Sequence, residues 1–176
     1  DFERVPLVFM IHGLGGEGID FYNFSSLAED SCFMVVFPSG LFNTWNAGPS
    51  MPYAHEIDDN SYFDALIDNI ESNYPLDTNR VYLTGHSMGG FMASHLNCTS
   101  TSFTAYGGSG GGISHGYYQG NEYEDLCKIE NGTYPNPMII SHGTSDQVVP
   151  YEWAIFNLYH FQLLNNCSDN VPWPYD

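Results

Sequence analysis

Gly85-His86-Ser87-Met88-Gly89 is a G-x-S-x-G run between a strand-like stretch, Val81-Tyr82-Leu83-Thr84, and a helix-like one, Gly90-Phe91-Met92-Ala93-Ser94-His95-Leu96. In that context the pentapeptide lifts a serine hydroxyl clear of a sheet and makes it a nucleophile. So sharp a turn would drive side chains at positions 85 and 89 into the neighbouring strand and helix, so glycine is expected at both. A plain glycine-rich turn with a helix-capping serine would explain the pentapeptide but not its flanks. Ser87 is therefore the expected nucleophile of an acyl transfer.

Such a serine needs a base to take its proton, a carboxylate to hold the base, and backbone donors to receive the oxyanion. The first apolar strand ends at His12-Gly13-Leu14-Gly15-Gly16, and a doubly wound layout sets the loop after that strand beside the turn at Ser87. Gly13, Gly15 and Gly16 allow the backbone a close approach, which assigns the oxyanion donors to the amides of Leu14 and Met88. A phosphate cradle is the rival reading of this loop, but the loop lacks G-x-G-x-x-G and the Walker lysine. For the carboxylate, Asp146 follows the strand-like Met138 to Ser141 in Ser141-His142-Gly143-Thr144-Ser145-Asp146, at a strand's C-terminal end, where parallel sheets place their sites. A turn-forming role is the common fate of such an Asp; the chain order Ser then Asp favours the triad acid.

The elements that must position these groups alternate between strand and helix patterns, which predicts α/β architecture, a mostly parallel sheet with helices on both faces. Val5 to Ile11 is a near-continuous apolar run, as for a strand buried on both sides. A helical stretch around Phe21 to Glu29 precedes a second strand, Phe33 to Phe37, stopped by Pro38-Ser39-Gly40. Leu41 to His55 lacks periodicity and reads as a surface excursion carrying Trp45 and Tyr53. From Asn60 to Tyr74, Phe63, Leu66, Ile67, Ile70 and Tyr74 recur at helical spacing, with Asp58, Asp59, Asn60 and Ser61 as capping candidates. Pro75 to Arg80 reads as a turn into the Val81 strand. Phe103 to Tyr106 is a further strand leading to a glycine run, Gly108 to Gly112. Met138 to Ser141 is the last clear strand and Trp153 to Asn165 the last helix. No repeat or second-domain boundary interrupts the chain, so residues 1–176 are expected to form a single domain.

Composition narrows the partners. The chain has 176 residues, 43% of them hydrophobic, enough for one core. Three Lys and Arg against 21 Asp and Glu give a net charge of −18, so phosphate backbones and anionic lipid surfaces should be repelled. Neither nucleic acid nor membrane is an expected partner, and no apolar run reaches the length of a membrane span. Cys32, Cys98, Cys127 and Cys167 are widely spaced, which favours one or two disulfides over a zinc site or a redox pair. The sequons at Asn23, Asn97, Asn131 and Asn166 fit an extracellular protein, although an Asn-rich chain also produces such triplets by chance.

With these residues in place, the chain resembles the α/β-hydrolases of the feruloyl esterase, acetylxylan esterase and polyhydroxybutyrate depolymerase group (carbohydrate esterase family 1 type). The resemblance rests on His12-Gly13, on Pro38-Ser39-Gly40 followed by Trp45-Asn46-Ala47-Gly48, and on Asp58-Asp59. It continues through Asn79-Arg80-Val81-Tyr82 into Gly85-His86-Ser87-Met88-Gly89, and His142-Gly143-Thr144 with Asp146. It implies an α/β-hydrolase fold, Ser87 as nucleophile, Asp146 as triad acid, Leu14 and Met88 as oxyanion amides, and no cofactor or metal. The chain departs from that pattern in its base. In the family the triad histidine lies on a G-G-H-x-W-P loop beyond one more strand after the Asp. Here only 30 residues follow Asp146, their one histidine, His160, falls within the apolar-rich last helix, and Pro172-Trp173-Pro174 lacks the preceding Gly-His. The family's opening strands, expected before Val5, are also missing, so the fold is expected to lack its first strands and its last strand.

No triad histidine is assigned. His12 and His86 correspond to structural neighbours of the family's site, His142 is expected to brace the Asp146 loop, and His55, His95 and His115 have no motif support. Three sources of the base remain open: a longer chain of which this is a fragment, a partner chain, or a histidine recruited from elsewhere in the fold. Trp45 is the expected substrate-binding aromatic, with Tyr53 and the Tyr117-Tyr118 pair as further wall candidates. The expected function is a secreted serine esterase acting on feruloyl or acetyl esters of plant polysaccharide. A polyester depolymerase, a peptidase or thioesterase on the same fold, and a non-catalytic hydrolase-fold binding protein are the alternatives.

Overall fold

The structure, a computed structural model, describes residues 3–48, 51, 56–113 and 136–167. Five strands, β1 (Val5–Ile11), β2 (Met34–Val36), β3 (Leu76–His86), β4 (Ala105–Ser109) and β5 (Met138–Ser141), form one sheet in the order β2-β1-β3-β4-β5. Every neighbouring pair is parallel. Among the described residues four α-helices accompany them: α1 (Ser25–Ser31), α2 (Asp59–Asn73), α3 (Met88–Thr99) and α4 (Tyr151–Leu164).

β1 and β5 fall where the apolar runs put them. β3 does not: it starts at Leu76, where a turn was expected. Val5 pairs with Leu76 across a register shift, and Arg80 caps the polar segment by binding Asp77 at 2.6 Å and the Arg4 carbonyl at 2.8 Å. Polar residues thus extend a strand whose outer end is exposed. The first helical stretch also differs, being a 3-10 segment over Gly18–Phe24 before α1 begins. Glu17 and Asp20 form a capping box there, which starts the turn three residues ahead of Phe21. α2 begins as its acids suggest, with the Asp58 side chain accepting from the Ser61 amide.

The core lies on the sheet face carrying Leu7, Phe9, Ile11, Val81 and Leu83, all buried. Phe63 of α2 meets Phe9 at 5.8 Å and Phe103 at 6.0 Å between ring centroids, both edge-on. α3 lies over β3 and β4, where the Tyr106 hydroxyl donates to the Leu96 carbonyl, and burial pushes that phenol far above its ordinary range. α4 is tied to α3 through Trp153 against Phe91 and through the buried Ser94–Asn157 pair. On the opposite face Val8, Met10, Tyr82 and Thr84 are only partly covered, and at the β5 edge Ile139 is 78% exposed. Phe63→Ala should cost about 3–5 kcal/mol, read as a lowered urea midpoint with an unchanged slope; a loss under about 1 kcal/mol would remove Phe63 from the centre of the core.

Cys98 is disulfide-bonded, whereas Cys32 and Cys167 carry free thiols. Of the sequons, Asn97 is structural: its buried amide donates to the Asn136 carbonyl at 3.0 Å and its oxygen accepts from the Asn136 amide at 2.8 Å. Asn23 is exposed, and Asn131 lies outside the described residues.

Candidate active site

Ile11 of β1 pairs with Gly85 of β3, Gly85 with Gly108 of β4, and Gly108 with Ile140 of β5. β1 ends at this row and β3, β4 and β5 pair one residue further, through His86, Ser109 and Ser141, so the loops that follow these strands stand side by side at the sheet's C-terminal edge. β1 is also where the strand order turns back, with β2 on one flank and β3 on the other. Parallel sheets open a crevice at such a switch point.

Ser87 sits between β3 and α3 at φ 54°, ψ −117°, a conformation that costs a residue with a side chain about 1–3 kcal/mol. Two backbone bonds hold it there, Ser87 N–H to the Ser109 carbonyl at 2.8 Å and Phe91 N–H to the Ser87 carbonyl at 3.1 Å. The flanking glycines are sterically required, because a Cβ on Gly85 would strike the Gly89 carbonyl and one on Gly89 would strike the Ile11 carbonyl oxygen. The loop after β1 closes on the serine: a Cβ on Gly13 would lie 3.1 Å from Ser87 Cβ and 3.7 Å from its Oγ. Leu14 follows directly, and Met88, as the first residue of α3, has an amide with no intrahelical acceptor. The two expected oxyanion donors are thus adjacent in the chain to Gly13 and Ser87, the residues that meet here.

His12 anchors this loop. Its Nδ1–H donates to the Gly13 carbonyl at 2.7 Å, and its Nε2 accepts from the Gly40 amide at 3.0 Å. Both bonds require the neutral ring protonated on Nδ1. Trp45 does not line the crevice, contrary to the sequence-based expectation. It is fully buried, stacks on Phe63 at 5.4 Å, and donates its indole N–H to the His12 carbonyl at 2.9 Å. Its large apolar ring is drawn into the core while its one polar atom holds the end of β1 at His12. Tyr53 and Tyr117-Tyr118 lie outside the described residues.

Asp146 stands on the loop after β5. Its Oδ1 accepts from the Val148 and Val149 amides at 2.8 and 3.0 Å. The hydrogen bonds from Val149 and Val148, helped by the nearby His142 and His86 rings, hold its carboxyl below the ordinary aspartate range against a small opposing desolvation. Gly110, at φ +58°, is the floor between Asp146 and the elbow. A Cβ there would lie 3.3 Å from His86 Cε1 and 3.8 Å from Asp146 Oδ2, so the imidazole and the carboxylate converge over a bare backbone. The glycine run was legible in the sequence, but this use of it was not. Because the folded pKa is depressed, the stabilisation tied to the carboxylate is fully present above about pH 4 and is lost as pH falls through the lower folded value. A carbon-detected NMR titration should accordingly place the Asp146 midpoint below the free aspartate value; a midpoint above it would contradict the hydrogen bonding.

No described imidazole is hydrogen-bonded to the Ser87 hydroxyl. His142 braces its own loop, with Nδ1 at 3.2 Å from the Gly143 carbonyl and Nε2 buried without a partner. Burial pushes the pKa of His95 and of His160 below the ordinary imidazole range, and His160 stands edge-on to Phe161. His55 and His115 fall outside the described residues. The Gly13 loop thus meets Ser87, and the Asp146 carboxylate meets the His86 ring over Gly110.

No family model matches the chain. Among curated proteins it is 30% identical over 178 residues to a probable feruloyl esterase C of Aspergillus terreus, an alignment covering 94% of this chain and 58% of that protein. It is 28% identical over 156 residues to acetylxylan esterase A of Aspergillus ficuum, covering 84% of this chain and 48% of the relative. The chain therefore spans about half the length of these relatives. Among solved structures, an acetyl xylan esterase from Aspergillus awamori superposes with a TM-score of 0.75 at 17% identity, covering 96% of this chain and 73% of that one. In strand order and in these similarities, the chain has an α/β-hydrolase fold and is similar in sequence to feruloyl and acetylxylan esterases.

Proposed function

We propose that the protein is a secreted serine carboxylic-ester hydrolase of plant-polysaccharide feruloyl or acetyl esters, working through an acyl-enzyme on Ser87. The observation that carries this reading is the strained Ser87 backbone packed against the Gly13 loop. Folding alone has no use for that conformation, whereas a nucleophile needs it. Ser87 Oγ attacks the ester carbonyl carbon while the amides of Leu14 and Met88 receive the developing oxyanion. The serine proton passes to an imidazole over Gly110, oriented by Asp146 Oδ2, and from it to the departing alcohol oxygen. Water then repeats the sequence in reverse, releasing the acid and regenerating Ser87. The imidazole comes from outside the described residues. Feruloyl esterase C and acetylxylan esterase A among the relatives support the substrate class.

The missing contact between Ser87 and any described imidazole favours a second reading, a hydrolase-fold binding protein without turnover. Labelling with a fluorophosphonate separates the two: attachment at Ser87 together with hydrolysis of p-nitrophenyl acetate supports the esterase, and absence of both supports the binding protein.

A further inference from the structure

The crossing from β1 to β2 carries apolar side chains that the core does not use. In its 3-10 segment Ile19 and Tyr22 stand three residues apart, so they share a side, and they are 67% and 62% exposed. Phe24 and Leu27 repeat the spacing into α1 and are exposed as well. Single exposed apolar residues are ordinary on a surface, whereas a run of them marks a face that something covers.

Asn23 stands in the middle of this run, in the triplet Asn23-Phe24-Ser25. It is exposed, and among the described residues neither its side-chain amide nor the Ser25 hydroxyl has a hydrogen-bond partner; its backbone carbonyl accepts from the Ser26 hydroxyl at 3.4 Å. The other complete triplet among the described residues, Asn97-Cys98-Thr99, is built into the fold. Asn97 is buried and paired with the Asn136 backbone, and Cys98 is disulfide-bonded. The Thr99 hydroxyl donates to the His95 carbonyl at 2.9 Å and accepts from the Asn60 amide at 3.0 Å. A sugar on Asn97 would displace Asn136, so the two triplets share a consensus and differ in what the fold leaves free.

Charge separates the candidate covers. No Lys or Arg occurs between Arg4 and Arg80, whereas Glu17, Asp20, Glu29 and Asp30 lie in the same segment as the apolar run. A second copy seated there would bring like charges together, and an anionic membrane would be repelled. A neutral oligosaccharide meets neither penalty, and the C–H faces of its rings suit an exposed aromatic such as Tyr22.

We propose that Asn23 is an N-glycosylation site whose glycan covers the apolar face from Ile19 to Leu27. The Asn23 side-chain nitrogen attacks C1 of the N-acetylglucosamine at the reducing end of a lipid-pyrophosphate-linked oligosaccharide, with the Ser25 hydroxyl as the group recognised two residues on. The N–C1 bond forms, the bond from C1 to the pyrophosphate oxygen breaks, the lipid pyrophosphate leaves with the electron pair, and the nitrogen gives up one proton to the transferase. This rests on the secretion in the reading above, through a eukaryotic pathway that supplies the donor, and is independent of Ser87.

Secretion of the chain from a eukaryotic host, followed by peptide mapping with and without peptide N-glycosidase, tests the site. The peptide containing Asn23 should carry a glycan and the one containing Asn97 none, and Asn23→Gln and Ser25→Ala should each lose it. Made without glycans in a bacterial host, the parent chain and Asn23→Gln should melt within about 2 °C of each other, and both should bind more of an apolar-surface dye than the glycosylated parent. A bare Asn23 in the secreted chain, a glycan on Asn97, a Tm gap beyond about 5 °C between the two bacterial chains, or equal dye binding with and without the glycan would overturn the proposal. Fluorophosphonate labelling of the same sample reports on Ser87 alone, so a glycosylated chain left unlabelled would uphold this site and overturn the catalytic reading instead.

Discussion

Ser87→Ala is expected to lower hydrolysis of p-nitrophenyl acetate and methyl ferulate by about 10⁴ to 10⁶-fold and to abolish fluorophosphonate labelling, with the fold intact. The size follows from the cooperation of the parts. In the mechanism proposed above, without Oγ no acyl-enzyme would form, and the amides and Asp146 assigned to assist it would have nothing to act on. Ser87→Gly should be equally inactive yet more stable than the alanine variant, because glycine relieves the positive φ of 54° that both serine and alanine must bear. Thermal scans of the two variants separate the strain from the chemistry. Activity in Ser87→Ala comparable with that of the parent would overturn the nucleophile assignment.

Gly85→Ala and Gly89→Ala should each destabilise the chain by about 3 kcal/mol or more. In both, the added methyl meets backbone rather than a mobile side chain: Gly85 faces the Gly89 carbonyl, and Gly89 faces the carbonyls of Ile11 and His12. Relief would require β1, β3 and α3 to separate, and with them the Gly13 loop from Ser87. Gly143→Ala is the matched control, since a Cβ there has nothing within 4 Å; it should change stability by no more than about 0.5 kcal/mol. Urea unfolding of the three variants gives the comparison, and parity between Gly89→Ala and the control would show that the elbow is not sterically locked.

What could be read from sequence was local. Ser87, Gly85 and Gly89 announced themselves because a tight strand-to-helix turn restricts nearby residue types, and β1 and β5 because their apolar runs stand out, although β1 buries alternate residues only and Ile139 of β5 is exposed. β3 was cut short at Val81 because Asp77 to Arg80 is polar, and its pairing with Val5 is a contact between distant segments. The same limit explains Trp45. An aromatic in an aperiodic segment beside the site suggests a cleft wall, and only the packed structure shows Phe63 and the His12 carbonyl waiting for it. The part played by Gly110 was not legible, because it lies in a backbone angle and in neighbours from other strands. The base was sought by motif and not found, and none of the described histidines takes its place at Ser87.

The strand order β2-β1-β3-β4-β5 also bears on how the molecule comes into being. After β1 and β2 pair, each later strand joins the growing edge in chain order, so no strand has to thread between two that are already paired. The edge of β1 that receives β3 stays open until residues 76–86 have been made, and Ser87 belongs to that same addition. The turn at Ser87 is thus complete only when β1 and β3, the neighbouring strands furthest apart in the chain, are paired.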